Sequence, residues 1–292
     1  MADQLTIGLL GGTGPQGRGL ALRLALAGHR VLLGSRDAER AAGIVADLAG
    51  GRDLPIEGVA NPDAANGADV VFLVFPYAGQ AQVLPGLAGA IGDKVVVDVI
   101  NPLGWDDRGP YLLEVPEGSA AEQAAALLPR ARVVAAFHHA APKLLADPER
   151  QVETDVLVAS DDPAAKGLVL ELADQIPGCR GVDAGPLRLA RQLEGFTAVI
   201  VGINRRHKIH AGLRISRLGD DKRRRLNAEL RPAGGSRGLK ERSGSPPVEP
   251  GPGRCQGAAR GDRRDRRLQG GRAGPRAHAG RGRGPAPADR LR

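Results

Sequence analysis

The amino-acid sequence predicts an α/β protein with a doubly wound, mainly parallel sheet, and three observations predict it. Apolar runs of strand length alternate with helical patterns from Leu5 onward, the signature of βαβ units. The first run enters a glycine-rich turn, Gly11-Gly12-Thr13-Gly14-Pro15-Gln16-Gly17, that opens a helix. Composition then divides the chain: all seven aromatic residues precede Gly219, and 40 of the 73 residues from Asp220 on are Arg, Gly or Pro.

Charge divides at the same place. The formal net charge of +8 is −4 over residues 1–219 and +12 over residues 220–292. The latter segment has only five Leu and one Val as larger aliphatics, too few to bury a core, so a disordered basic tail is expected there. The preceding residues are enough for one α/β domain with an appendage. Apolar runs such as Val70–Phe75 fall far short of the ~20 residues that span a bilayer. Met1-Ala2-Asp3-Gln4 lacks a basic segment, and Leu5–Leu10 is too short for a signal-peptide core. Cys179 and Cys255 make neither a disulfide framework nor a metal cluster. A reduced, cytoplasmic protein without a membrane partner is expected.

The elements follow in order. Leu5–Leu10 reads as the first strand and Gln16–Ala27 as its helix, stopped by Gly28. Arg30–Leu33 is the second strand, followed by a helix over Ala38–Leu48 and a weak strand over Ile56–Val59. Asn61-Pro62 offers an N-cap and an N1 proline. Asp69–Phe75 and Lys94–Ile100 are the fourth and fifth strands. Ser119 and Glu122 form a capping box for a helix to Leu128, and Arg132–Phe137 is a sixth strand. Short added strands over Asp155–Ala159 and Gly181–Ala184 flank a helix over Pro163–Gln175. Leu187–Ile203 reads as a long, mostly apolar C-terminal helix, interrupted by Gln192 and Glu194.

Within the turn, Gly12, Gly14 and Gly17 satisfy G-x-G-x-x-G. The first glycine permits the tight turn, the second lets backbone approach a pyrophosphate, and the third lets helix pack on strand. The helix N-terminus then offers free N–H groups and partial positive charge to phosphates. Because the turn follows a strand and starts a βαβ series, it marks a Rossmann-type nucleotide site; a purely structural glycine turn is the competing reading. At the end of strand two an NAD site usually places an acidic residue for the ribose 2′-OH. Here stand Gly34-Ser35-Arg36, with Arg40 one helical turn on. A hydroxyl and two cations at i and i+4 suit a 2′-phosphate, which points to NADP. Asp37 keeps NAD as the alternative, as does a solvated helix start in which Asp37 and Glu39 pair the arginines.

Phe75-Pro76-Tyr77 and Ile100-Asn101-Pro102 close strands four and five, where ligands of doubly wound sheets lie. Pro76, Asn101 and Pro102 are therefore expected beside a nicotinamide. His138-His139 ends strand six on the same side. Adjacent strand residues point to opposite faces, so a shared metal site is not expected. One of the two could donate to a bound ring; a structural strand-end histidine is the other reading. No Ser-His-Asp order and no Lys/Tyr proton relay is found. Hydride transfer between two stacked rings needs none, since the protein then supplies orientation alone.

Gly11 through Ala25 resembles the opening of a known family, the NADPH-dependent reductases of the deazaflavin coenzyme F420. Gly34-Ser35-Arg36 with Arg40, Ala136-Phe137-His138-His139, Asp183-Ala184-Gly185-Pro186-Leu187 and Gly202-Ile203-Asn204-Arg205-Arg206 are similar to it as well. The resemblance covers Leu5 to Leu218. It implies an NADP site on Gly12, Thr13, Gly14, Pro15, Gln16, Ser35, Arg36 and Arg40, with Pro76, Asn101 and Pro102 around the nicotinamide. It implies that the deazaflavin stacks near His138 and that no side chain is chemically catalytic. Residues 1–150 would be the NADP-binding core, and residues 151–219 an extension completing the deazaflavin site. Arg205, Arg206, Lys208 and Arg214 are candidate partners for that coenzyme's anionic tail, a solvated basic helix end being the alternative. The long apolar helix and the resemblance together imply a homodimer.

Residues 220–292 depart from the family, and their Arg/Gly/Pro/Ala bias resembles out-of-frame translation of GC-rich coding sequence. A linker or a nucleic-acid-binding arm are the alternatives; without aromatic residues such an arm would bind nonspecifically. The competing functions are another NADP-dependent reductase, of imines or metal ions, and a nucleotide-binding protein with a nucleic-acid-binding tail.

Overall fold

The computed structural model describes residues 4–230, with Lys222 excepted for its side chain. Eight strands form one sheet in the order β10-β9-β8-β5-β4-β1-β2-β3. These are β1 (Thr6–Leu10), β2 (Arg30–Ser35), β3 (Ile56–Ala60), β4 (Val70–Leu73), β5 (Val95–Asp98), β8 (Arg132–Ala135), β9 (Thr154–Ala159) and β10 (Cys179–Gly185). From β3 to β8 every pairing is parallel, and the order reverses between β1 and β4. β9 meets β8 antiparallel, and β10 runs parallel to β9, so the two added strands extend the same sheet.

Strands buried on both faces should read as continuous apolar runs, and these do. Alternate residues feed two cores. Ile7, Leu9, Val70, Phe72, Val95 and Val97 face one side, against α1 (Pro15–Leu26), α2 (Ala38–Ala49), α6 (Pro142–Leu145) and α7 (Pro163–Asp174). Leu10, Val71, Leu73 and Val96 face the other, against α3 (Asn61–Gly67), α4 (Gln80–Ile91), α5 (Ala120–Leu127) and α8 (Ala190–His207). Arg23, on α1, is 1% exposed and donates to the carbonyls of Leu144 (2.9 Å), Leu145 (3.0 Å), Asp147 and Arg150 (2.6 Å). It thereby satisfies the end of α6, whose last carbonyls have no helical partner.

The strands and helices read from sequence are present with ends shifted by a few residues, and four departures are informative. β8 stops at Ala135 rather than Phe137, because Phe137 takes φ = 64° and breaks the ladder. Asn61 does not cap α3; its side chain turns instead to the loop after β1. The helix expected over Leu187–Ile203 is a 3-10 turn over Leu187–Leu189 followed by α8, which runs on to His207. Asp220–Glu229, placed in the basic tail by composition, forms α9, anchored by Arg223 on Asp174 at 2.6 Å. The remainder of the expected tail, residues 231–292, lies outside the described residues. Helix α4 and the hairpin of β6 (Leu103–Asp106) and β7 (Gly109–Leu112) carry no strong periodic signal and were not anticipated.

Candidate dinucleotide site

The parallel strands β1 to β5 and β8 bring their C-terminal ends to one edge, with a crevice at the β1/β4 reversal. Gly11 enters this crevice with φ = 73°, and a Cβ there would stand 2.7 Å from the Phe75 Cβ. Only glycine lets the two strand exits approach so closely. A Cβ on Gly17 would lie 2.3 Å from the Gly12 carbonyl, so the third glycine of the motif packs helix against turn. Gly14, the N-cap of α1, has nothing within 4 Å of its Cβ position. The turn therefore leaves open room where backbone N–H groups at the start of a helix can meet phosphate oxygens.

The turn is held from three directions. The Gly12 amide bonds the carbonyls of Leu9 (3.2 Å) and Gly34 (3.0 Å). Arg18 Nε donates to the Thr13 carbonyl at 2.9 Å. The Gly11 amide donates to Asn61 Oδ1 at 3.0 Å. Asn61 is a site residue that sequence reading missed: Asn-Pro at a helix start signals a cap, and nothing local says the amide is used across two strands.

A cleft of about 620 Å³ opens beside the turn, lined by Gly11, Thr13, Ser35, Arg36, Arg40, Asn61 and Pro76 among others. Thus five expected cofactor contacts, Thr13, Ser35, Arg36, Arg40 and Pro76, line one cavity, with Gly12, Gly14, Pro15 and Gln16 in the turn and helix start beside it. Ser35 Oγ accepts the Asp37 amide at 3.2 Å, and Asp37 in turn caps α2 through the Arg40 amide at 3.2 Å. Asp37 is thus occupied by the helix start. Arg36 and Arg40 form no ion pair with a described carboxylate and remain exposed. Two unpaired cations beside an open helix N-terminus fit a nucleotide bearing an extra phosphate.

At the other end of the crevice stand the exits of β5 and β8. Asn101 Oδ1 accepts the Thr197 hydroxyl from α8 at 3.0 Å, and that hydroxyl also lies 3.3 Å from the His138 carbonyl. Pro102 is buried beside Asn101. Gln16 Nε2 reaches the Phe137 carbonyl at 3.3 Å, linking turn and β8 exit. The left-handed Phe137 turns the chain just before the two histidines, whose rings lie 6.4 Å apart and edge-on to one another. His139 donates Nε2–H to the Leu193 carbonyl at 2.8 Å and meets Phe196 edge-on at 5.5 Å, which makes it a structural clasp on α8. His138 is buried; no described group meets either ring nitrogen in good hydrogen-bond geometry, and the Val99 backbone is close enough only to offset a part of the burial. Burial, then the neighbouring His139, pushes its pKa down to about 3, so the ring is neutral.

The cationic candidates near the end of α8 divide. Arg205 lies 5.4 Å over the exposed Trp105 ring, and Arg206 and Lys208 are exposed in the last turn and cap of α8. Arg214 is committed to Asp155 (3.1 Å) and the Gly178 carbonyl (2.8 Å), and so does not serve as a free anion contact.

The strand order, the glycine turn and the cationic cleft define a protein of the Rossmann-type dinucleotide-binding fold. Comparison with known proteins narrows the class. Residues 6–102 match the family described as NADP oxidoreductase coenzyme F420-dependent. The chain is 41% identical over 222 residues to the F420-dependent NADP reductase of Methanothermobacter thermautotrophicus, covering 73% of this chain and 96% of that one. It is 37% identical to the F420-dependent NADP reductase of Methanocaldococcus jannaschii over the same share of this chain and 99% of that one. The solved structure of a candidate f420 dependent nadp-reductase from Arthrobacter sp. fb24 superposes with a TM-score of 0.65 at 28% identity, covering 73% of this chain and all of that one. The chain belongs to the family of F420-dependent NADP reductases.

Proposed function

We propose that this protein transfers a hydride between NADP(H) and coenzyme F420. The observation that carries this reading is the 41% identity over 222 residues, which takes in 96% of the relative, together with the family match over residues 6–102, which includes the glycine turn. In the forward direction NADPH gives its hydride from nicotinamide C4 to the deazaflavin C5, and the reduced deazaflavin takes up one proton.

The chain's part is binding and orientation. The turn at Thr13, Gly14, Pro15 and Gln16 meets the pyrophosphate, with Gly12 setting the turn. Ser35, Arg36 and Arg40 hold the 2′-phosphate. Pro76, Asn101 and Pro102 border the nicotinamide, and the neutral His138 offers a ring N–H to the deazaflavin. Residues 1–150 serve as the NADP-binding part and residues 151–219 complete the deazaflavin side. No helix among the described residues is long and apolar enough to cross a membrane. A homodimer in the cytoplasm fits the exposed Phe196 and Val199 on α8 and the exposed Trp105 and Tyr111 on the hairpin.

Anaerobic mixing with NADPH and purified F420, followed at the deazaflavin absorbance, tests the reading. Loss of the oxidised deazaflavin band with NADPH consumption supports it. Turnover with imines or ferric ion and none with F420 would replace it with a different reductase on this scaffold.

A further inference from the structure

Beneath the exits of β5 and β8 lies a layer of buried polar side chains that hydride transfer does not itself use. Asp98, last residue of β5, shares the parity of Val96 and so faces the core under α4, α5 and α8. It is wholly buried; Oδ1 accepts the Ile100 amide at 2.8 Å, and Oδ2 has no partner. Glu194 on α8 is equally buried and accepts the first two amides of α5, Ala120 at 3.0 Å and Ala121 at 3.1 Å. Gln80 on α4 closes on the same residue, donating to the Ala120 carbonyl at 2.6 Å. Two helices, α4 and α8, thus converge on the start of α5.

No described cation neutralises this pair in the way an ion pair would. Burial raises the Asp98 carboxyl well above the usual range, and the charge of Glu194 adds to it. Burial also pushes Glu194 up to about 7, against the pull of its two backbone donors. Glu122 on α5 raises it further, while Arg191 on α8, bonded to the Gly118 carbonyl at 3.0 Å, lowers it. Other ionisable side chains on segments packed against α8 include Tyr111 on β7, Arg188 in the preceding 3-10 turn, Glu117 beside the bonded Gly118, His138 and His139.

We propose that Asp98 is held as the neutral acid and that Glu194, the member of the pair free to ionise, is a positioning residue for the hydride transfer, docking α8 most firmly when it carries a proton. This role rests on the function proposed above. α8 presents Leu193 to His139 and Thr197 to Asn101, so its docking sets the geometry at the nicotinamide end. Undocking would return Glu194 to water and to its ordinary acidity. The docked state therefore binds the proton more tightly, and by linkage the proton favours the docked state. Raising pH through about 7 ionises Glu194 and loosens α8.

Hydrogen exchange at Ala120 and Ala121 in the full chain, corrected for intrinsic exchange chemistry, reads the docking without any coenzyme. From about pH 6 to about pH 8.5, protection of these amides should fall about tenfold in the wild type. Glu194→Gln should show no such fall. Asp98→Asn, isosteric with the neutral acid, should fold and keep the wild-type transition within about one pH unit, which decides the matter even if Glu194→Gln fails to fold. In turnover, the KM for F420 should rise above neutral pH in the wild type and stay flat in Glu194→Gln, with kcat less affected. Protection independent of pH in the wild type, a wild-type transition in Glu194→Gln, or a larger shift in Asp98→Asn would overturn the proposal. Absence of F420 turnover would instead sink the function while leaving the exchange result intact.

Discussion

Asn61 Oδ1 accepts the Gly11 amide at 3.0 Å, joining the first residue of α3 to the turn that follows β1. The bond passes over the end of β2, where a Cβ on Gly34 would stand 2.7 Å from the same Oδ1, and it ties α3 to the rim of the cleft.

Asn61→Ala takes that partner from the half-buried Gly11 N–H, a loss of about 0.5–1.5 kcal/mol. Urea unfolding should show that decrease, and calorimetric titration should show weaker NADPH binding. A stability and affinity equal to wild type would mean that the turn holds itself.

Two glycines in one motif should fail for different reasons. Gly17→Ala drives a methyl to 2.3 Å from the Gly12 carbonyl, so the helix must move off the turn and both stability and binding should fall. Gly14→Ala meets open space in the protein. Its thermal midpoint should stay within a few degrees of wild type, while NADPH affinity drops because the methyl occupies the phosphate's room. Equal destabilisation of both variants would contradict this division.

The two exposed arginines should separate the nucleotides. Arg36→Ala and Arg40→Ala should each raise the KM for NADPH about tenfold or more, in line with loss of a charge-assisted phosphate contact, and change the KM for NADH little. Steady-state kinetics with both nucleotides checks it; equal effects on NADPH and NADH would refute a 2′-phosphate contact.

How far this was legible in the sequence depended on the range of the interaction. The strands and the glycine turn come from local periodicity and spacing, so the turn after β1 and the end of β2 could be read from the residues alone, and the structure lines one cleft with Thr13, Ser35, Arg36 and Arg40. The polar layer was half visible: Asp98 ends a run of three valines, and Glu194 interrupts an apolar helix. That the two meet depends on β5 and α8 being brought together across about 95 residues of chain, for which the sequence carries no local signal. Arg23 was unreadable for the same reason, since a helical arginine is ordinarily solvated and here it collects the carbonyls around α6. Phe137 broke the strand reading because a left-handed backbone at a bulky residue is imposed by tertiary packing rather than by propensity.

His138 gives stability a defined pH dependence. Its pKa falls from 6.5 to about 3 on folding, so below 6.5 the unfolded chain binds the proton that the native chain refuses. Stability therefore rises with pH between about 3 and 6.5, and at about pH 5 this one group costs about 2 kcal/mol relative to neutral pH. Glu194, raised on folding, works in the opposite sense between 4.5 and about 7. In urea unfolding, the change in stability from pH 5 to pH 7 should be less favourable in His138→Leu than in the wild type by about 2 kcal/mol, the opposing Glu194 contribution being common to both. A wild-type pH dependence in this variant would show that His138 is not the group refusing the proton.

The central claim is direct hydride passage between two coenzymes on this chain. NADPH deuterated at nicotinamide C4 should, under anaerobic single turnover, deliver one deuterium to C5 of the reduced deazaflavin, read by mass spectrometry. The label should appear undiluted by solvent protons. A reduced deazaflavin carrying no deuterium from either C4 position, or no reduction at all, would contradict the account.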